Sequence, residues 1–364
     1  MSAGSHRLDR LRAALARREL DAALISAPAN IRYLTGYVGS NALALVWDGG
    51  ATLLTDGRYA VSARRQATGA DVVIGKRDLL GDAATAVSEL GAAPAVGVEA
   101  AHLTLERHGR LETALSGARL VATTGLVEDL RLVKDDDEIA LIAEAADIAD
   151  RALADVLALG LVGRREDEVA LDLHAAMVRH GAEAPSFPII VAAGPGGALP
   201  HAVPRPEPIP DDTLCVIDLG AVHRGYCSDM TRTVVLGRPD ERLVEAYAVC
   251  AEAQRVGVEA VRAGVAAADV DRASRAVIDE AGLGEAFVHG LGHGVGLDIH
   301  ERPGVRREAT ETLASGMVLT VEPGVYLEGL GGVRIEDLLV VTDEGARVLS
   351  RSPKDDIAKE HDTA

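Results

Sequence analysis

The sequence is short of positive charge. It holds 37 Lys and Arg against 56 Asp and Glu, a formal net charge of −19. That argues against a nucleic-acid binder, which needs a basic face. It fits a cytoplasmic protein kept dispersed by self-repulsion. Cysteine is also scarce: Cys215, Cys227 and Cys250 are the three present, and none has CxxC spacing. A small odd number argues against a disulfide framework and for a reducing compartment. The missing pairs argue against a zinc knuckle. No run of about 18 uncharged apolar residues occurs, so no membrane span is expected. The opening "MSAGSHRLDRLRAALARREL" lacks the apolar core of a signal peptide. It reads as an amphipathic helix with Leu8, Leu11 and Leu15 on one side.

What is there is a chain of 364 residues, 48% hydrophobic, long enough for two domains. Residues 1–126 alternate helical patterns with six short apolar runs: "DAALIS", "ALALVWDGG", "GATLLTD", "ADVVIG", "AVGVEA" and "ARLVAT". That predicts a small α/β domain with a mixed sheet. The boundary falls just before or inside the long helical stretch "KDDDEIALIAEAADIADRALADVLALG", whose acidic start suits a helix N-terminus and whose Gly160 suits a stop. Residues 127–364 pair helices near 165–180, 239–263 and 267–281 with blocks of strand, an α+β pattern. "HAVPRPEPIPDD" reads as a loop or edge, and the tail "RSPKDDIAKEHDTA" as polar and frayed. No short internal repeat is visible.

The informative oddity is carboxylates inside apolar strands. In "CVIDLGAVHRGYCSDMTRTVVLG", ten residues separate Asp218 from Asp229. If His223 and Arg224 form a two-residue turn, the aspartates become direct cross-strand partners, roughly 5 Å apart at Cβ. Glu322 lies in "VLTVEPGVYL", and Glu336 and Asp337 lie in "GGVRIEDLLVVT". A buried carboxylate without a partner costs several kcal/mol. Arg334, two residues before Glu336, answers one of them at most. A multivalent cation answers them all by turning mutual repulsion into shared attraction.

The segment "HGLGHGVGLDIH", residues 289–300, first suggests a helical histidine clamp. Yet the residue after His289 is Gly290, where a zinc-protease helix carries glutamate. Glycines at 290, 292, 294 and 296 would each weaken a helix by about 1 kcal/mol. The segment is therefore expected to be strand or loop, with glycines that allow a ligand close to the backbone. "AAGPGGALPH" follows a strand but leads into no helix, so it is not a phosphate cradle.

Asp in "VIDLG", Asp in "SDMTRT", His in "HGLGHGVGLDIH", Glu in "VEPGVY" and Glu in "GVRIED" follow in that order. The pattern resembles the Xaa-Pro peptidases, the aminopeptidase P and prolidase branch of the pita-bread metallopeptidases, over nearly the whole chain. The resemblance implies a smaller creatinase-like α/β domain, serving as lid and in oligomerisation, before an α+β pita-bread catalytic domain of pseudo-twofold halves. It implies two divalent metal ions. Asp218 and Asp229 would bind one, with Asp229 bridging; His293 and Glu322 would complete the other; Glu336 would bridge both. His201, His289 and His300 match the three active-site histidines that are not ligands. Arg334 matches a position that supports the carboxylates, and Tyr326 is a further candidate.

Four carboxylates and one imidazole form a hard donor set, which favours Mn²⁺, with Co²⁺ or Zn²⁺ as alternatives. Two cations can acidify a shared water that attacks the carbonyl before proline. Glu322 would shuttle its proton to the leaving nitrogen, His300 and His201 would donate to the developing oxyanion, and His289 would shape the proline pocket. Cys227 is expected to be a packing residue. The reading taken is an Xaa-Pro aminopeptidase acting on proline-containing peptides, with no nucleic-acid or membrane partner, and a homodimer or dimer of dimers. An Xaa-Pro dipeptidase is the alternative, with Arg302, Arg306 or Arg307 as candidates for the free proline carboxylate. A creatinase-like C–N hydrolase lacks the metal ligands that are present here. A non-catalytic peptide-binding module loses ligands and gains acidic or linker regions, and this chain does neither.

Overall fold

A computed structural model describes residues 3–354. Residues 355–364 of the expected polar tail lie outside them. The chain divides into two compact units, Met1–Arg131 and Leu132–Ala364.

In the first unit all six apolar runs are strands of one sheet: β1 (Ala22–Ile25), β2 (Ala42–Trp47), β3 (Gly50–Asp56), β4 (Asp71–Gly75), β5 (Ala95–Glu99) and β6 (Arg119–Thr123). Their order is β4-β3-β2-β1-β5-β6. β2 runs antiparallel to both neighbours and the other pairings are parallel, so the sheet is mixed. The helix Ala3–Arg17 buries Leu8, Leu11 and Leu15, the face its spacing predicts. The helix Pro28–Thr35 has Ala27 at its N-cap, which offers no side-chain acceptor. Glu99, buried at the end of β5, supplies one instead, accepting from the backbone N–H of Ser26 at 2.5 Å and of Ala27 at 2.7 Å.

The second unit repeats one plan twice. The helices Asp136–Leu157 and Glu166–Arg179 precede strands Ile190–Ala193, Thr213–Leu219 and Met230–Leu236, which pair in that order as an antiparallel sheet. The helices Glu241–Ala260 and Ala267–Glu280 then precede strands Gly292–Gly294, Val318–Val321 and Asp337–Val341, which pair the same way. Each half buries its own apolar core. Leu153, Val169, Leu173 and Ile217 belong to the first, and Leu243, Val270, Leu319 and Leu339 to the second. The long helix Asp136–Leu157 starts at a capping box of Asp135 and Glu138, and Gly160 just beyond it has φ 75°.

The strands break where the acids are. The second and third strands of each half are joined by an excursion that leaves the sheet. In the first half it includes the hairpin Ala221–His223 with Tyr226–Cys227. Its turn is Arg224–Gly225, both at positive φ (45° and 79°), not His223–Arg224. That one-residue shift alters the expected pairing: Asp218 lies opposite Thr231, and by count Asp229 falls opposite Gly220. The aspartates are diagonal rather than direct partners. In the second half the excursion is the hairpin Gly324–Leu327 with Gly331–Arg334. The register carries through from Val321 opposite Asp337 to Gly324 opposite Arg334, so Glu322 falls opposite Glu336.

Candidate active site

Asp218, Asp229, His293, Glu322 and Glu336 line one cavity of about 560 Å³, together with His201, His289, His300, Tyr326 and Arg334. The five expected ligands, the three histidines, Tyr326 and Arg334 are therefore in one place. Ligand atoms of Asp229, His293 and Glu336 lie within 4.8 Å of one another. His293 Nε2 is 3.4 Å from Asp229 Oδ2 and 3.5 Å from Glu322 Oε1. Its other nitrogen, Nδ1, lies 3.1 Å from the Gly294 carbonyl oxygen, which fixes the ring with Nε2 toward the carboxylates.

The acids are crowded into a largely buried setting. Asp218, Asp229 and Glu336 are buried. Burial pushes the Asp229 carboxyl up to about 6 and the Glu322 carboxyl up to about 7. Glu336 is raised well above the usual range by burial, then by the charges of Asp229, Glu322 and Asp218. Burial works against a charge on His293, but its hydrogen bond to Asp229 and the nearby Glu322 outweigh this and hold it up at about 9. Thr231 Oγ1 donates to Glu336 Oε2 at 2.7 Å. Glu336 Oε1 and Asp218 Oδ1 are buried with no hydrogen-bond partner. Two orphaned oxygens in a ring of acids mark a place for cations, since a buried acceptor is otherwise costly to leave unpaired. The all-oxygen-and-imidazole donor set fits hard divalent ions.

Arg334 differs from expectation in its partner. It is buried, and its Nη2 donates to Asp218 Oδ2 at 2.7 Å rather than to Glu336. Its Nε donates to Thr231 Oγ1 at 3.0 Å and its Nη1 to Tyr326 Oη at 2.9 Å and to the Pro200 carbonyl at 3.1 Å. Tyr326 Oη is in turn 2.9 Å from His289 Nε2, and His289 Nδ1 is 2.8 Å from the Gly290 carbonyl. The network assigns the proton. Nδ1–H donates to Gly290, and Nε2 accepts from the Tyr326 hydroxyl, which itself accepts from Arg334. Burial lowers the His289 pKa to about 4, in keeping with that neutral ring. Both nitrogens are occupied, so His289 presents a wall rather than a donor.

His300 is exposed, with its ring edge-on to His293 at 4.3 Å between centroids. Burial, then the neighbouring His293 and His201, lower its pKa. His201 stands at the start of the Pro-rich loop, whose Arg205 is tied to buried Glu166 through Nη2 to Oε1 at 2.7 Å. Of the three candidate arginines, Arg306 lines the cavity, Arg302 pairs with Glu311 at 2.9 Å, and Arg307 lines a different cavity. Asp337 is not a site residue: Arg232, Gln254 and Lys354 hold it at 2.8, 2.9 and 2.6 Å. Cys227 is buried among apolar side chains, which push its thiol up to about 12. The glycines permit close approach, but largely of chain to chain. A Cβ at Gly292 would meet the Thr320 carbonyl oxygen at 2.1 Å, and one at Gly294 the Arg302 carbonyl oxygen at 2.3 Å. Thr231 and Thr320 were not singled out in the sequence. Thr320 accepts from the His293 N–H at 3.1 Å and faces Glu322 Oε1 at 3.4 Å. The available signal was a threonine two residues from a strand acid, Thr231 from Asp229 and Thr320 from Glu322.

The sequence pattern of metallopeptidase family M24 matches residues 140–343, and that of the Creatinase/Prolidase N-terminal domain matches residues 7–133. The chain belongs to metallopeptidase family M24. The M24 unit is the α+β pita-bread fold, with the creatinase-type unit ahead of it. An Xaa-Pro dipeptidase from Bacillus anthracis superposes with a TM-score of 0.94 at 39% identity, over 97% of this chain and 99% of that one. An X-Pro aminopeptidase from Thermotoga maritima gives 0.88 at 33% identity, over 96% and 99%. An Xaa-Pro dipeptidase of Pyrococcus furiosus is 44% identical over 230 residues, 63% of this chain and 66% of that protein. M24 membership implies divalent metal ions at the acidic cavity. Among the described residues, no helix is long and apolar enough to cross a membrane.

Proposed function

We propose that this M24 peptidase hydrolyses the bond between an N-terminal residue and proline at a centre of two divalent cations. The observation that supports it most is the pair of buried, unpartnered oxygens, Asp218 Oδ1 and Glu336 Oε1, in the cavity that also holds His201, His289 and His300. In this reading Asp218, Asp229, His293, Glu322 and Glu336 would hold the two ions. Mn²⁺ suits the hard donors, with Co²⁺ or Zn²⁺ able to substitute. When bound, two such ions supply a Lewis acid and an acidified water.

The chain's own residues do the rest. The neutral His289 ring, locked by Gly290 and Tyr326, forms an apolar wall for the proline ring. Proline nitrogen has no hydrogen, so a wall suits it better than an acceptor. The free ring edges of His300 and His201 donate to the carbonyl oxygen as it gains charge. Glu322, facing His293 at 3.5 Å in the cavity, would accept a proton from the attacking water and pass it to the departing secondary amine. Arg334 holds Asp218 and Tyr326 in place and touches both the ion-binding and the proline-binding sides.

The aminopeptidase reading covers peptides that continue past proline. One observation favours the dipeptidase reading as well: Arg306 lines the cavity and has no acidic partner among the described residues, so it is available to a free proline carboxylate. The test is hydrolysis of Xaa-Pro against Xaa-Pro-Yaa in Mn²⁺. Cleavage of the longer peptide supports the aminopeptidase. Cleavage of the dipeptide alone supports the dipeptidase, and cleavage of neither overturns the proposal. A homodimer or dimer of dimers accompanies this reading, and sedimentation velocity tests it.

A further inference from the structure

We infer that Asp271 and Arg275, outside the cavity on the helix Ala267–Glu280, are positioning residues for His289. For what His289 does, the inference rests on the function proposed above; how His289 is held is a separate matter of geometry. The segment from Phe287 to Leu291 has no regular structure, and its backbone makes two bonds to other backbone, the Phe287 N–H to the Gly284 carbonyl at 3.2 Å and the Leu291 carbonyl to the Glu322 N–H at 2.8 Å, so its remaining groups need other partners. Arg275 donates to two of its carbonyls, Nη1 to Phe287 at 3.1 Å and Nη2 to His289 at 2.8 Å. Asp271 Oδ1 accepts from the Leu291 N–H at 3.1 Å. The two side chains are bound to each other by a fork, Nε to Oδ2 at 3.0 Å and Nη2 to Oδ1 at 2.9 Å. The guanidinium also lies 3.9 Å over the Phe287 ring, whose edge meets the His289 ring at 5.1 Å between centroids.

The pair thus grips the segment at residues 287, 289 and 291, on either side of the histidine. Its side chains are 8% and 0% exposed. A buried ion pair is commonly no more stabilising than apolar residues of the same size, so stability alone gives little reason for it. Its partners give a reason. The three hydrogen bonds that leave the pair all end on the segment that carries His289. On the far side the ring is fixed by Tyr326 and Gly290. A neutral imidazole that serves as a wall needs this kind of bracing, because small misplacements of a binding group have large effects.

The test uses the full chain loaded with Mn²⁺. Arg275→Lys keeps the charge and loses the fork; Asp271→Asn with Arg275→Gln removes both charges together. In both variants, amide exchange of residues 287–291 should rise about tenfold, with exchange in the helix Asp136–Leu157 unchanged. The KM for Xaa-Pro should rise about tenfold with kcat held to within about threefold and metal content unchanged. In a His289→Gln background the same changes should add less than about twofold. Unchanged exchange at 287–291, general loss of protection across the unit, or full additivity with His289→Gln would overturn the inference. If the unaltered protein cleaves no Xaa-Pro bond, the proposed function falls and the exchange measurement alone decides whether the pair holds the segment.

Discussion

Glu322 and Glu336 stand directly opposite each other, at the point where their strands leave one sheet for the next. Like charges in that relation repel, and here both line the cavity beside Asp229. The burial of this acidic cluster has a pH signature. In the metal-free protein, Asp229 and Glu322 are raised to about 6 and 7 from ordinary values of 3.8 and 4.5. A raised carboxyl contributes its stability below its unfolded value and loses it as pH rises through the folded one. His293, raised to about 9 from 6.5, has the same sign, present at lower pH and lost on the way to 9. The Tm of the metal-free protein should therefore fall from about pH 4 to pH 9 relative to the Mn²⁺-loaded protein, whose ions favour the deprotonated ligands. Calorimetry with and without metal at several pH values measures the gap, which should widen with pH.

Arg334→Lys keeps a charge near Asp218 but loses the fork that also reaches Thr231, Tyr326 and Pro200. Removing such an outer support lowers metal affinity or activity by about 10- to 100-fold. Competition with a fluorescent chelator reads the affinity, and steady-state kinetics the activity. Affinity and activity both within about twofold of the unaltered protein would show that the fork is dispensable.

Much of this was legible in the sequence, and the failures have particular causes. Six apolar runs became β1–β6 because short apolar and β-branched runs bounded by turns mark strands at the centre and at the edge of a sheet alike, although the edge strands β4 and β6 are largely not buried. The four acids and His293 stood out because strands do not tolerate them unpartnered. The turn at Arg224–Gly225 was misplaced by one residue, which changed the partner of Asp218. Two-residue turns are set by backbone conformation, and Gly225 was the stronger signal for positive φ. Arg334 looked like the partner of Glu336 from its spacing. The strand break at Ile335–Glu336 removes that alternation and turns the guanidinium to Asp218. The repeated plan of the second unit left no sequence repeat, since packing specifies a pattern of burial rather than identities.

Among the histidines, position should separate function. His293→Ala removes the imidazole that faces Asp229 and Glu322 and should lower bound metal, by about half or more if one of two ions depends on it. His300→Ala should leave metal content intact and reduce kcat by about 100-fold, as loss of one oxyanion donor does. Elemental analysis beside turnover distinguishes them, and the reverse pattern would exchange their roles.

Gly292→Ala tests the close packing of the strand Gly292–Gly294. Its Cβ would meet the Thr320 carbonyl oxygen at 2.1 Å, a backbone atom with no freedom to move aside. Destabilisation of at least about 1–3 kcal/mol is expected, read as a lower Tm. Gly160→Ala is not an equivalent control because its φ is positive; Gly57, with open space around the missing Cβ, is.

The proposed centre holds two cations and cleaves before proline. Its most direct measurement is a titration of chelator-treated protein with Mn²⁺, following bound metal and Xaa-Pro hydrolysis in the same samples. Two ions per chain are expected at saturation, with activity absent in the metal-free protein and restored as they bind. Failure to bind any divalent cation, or hydrolysis that persists undiminished in chelator, would contradict it.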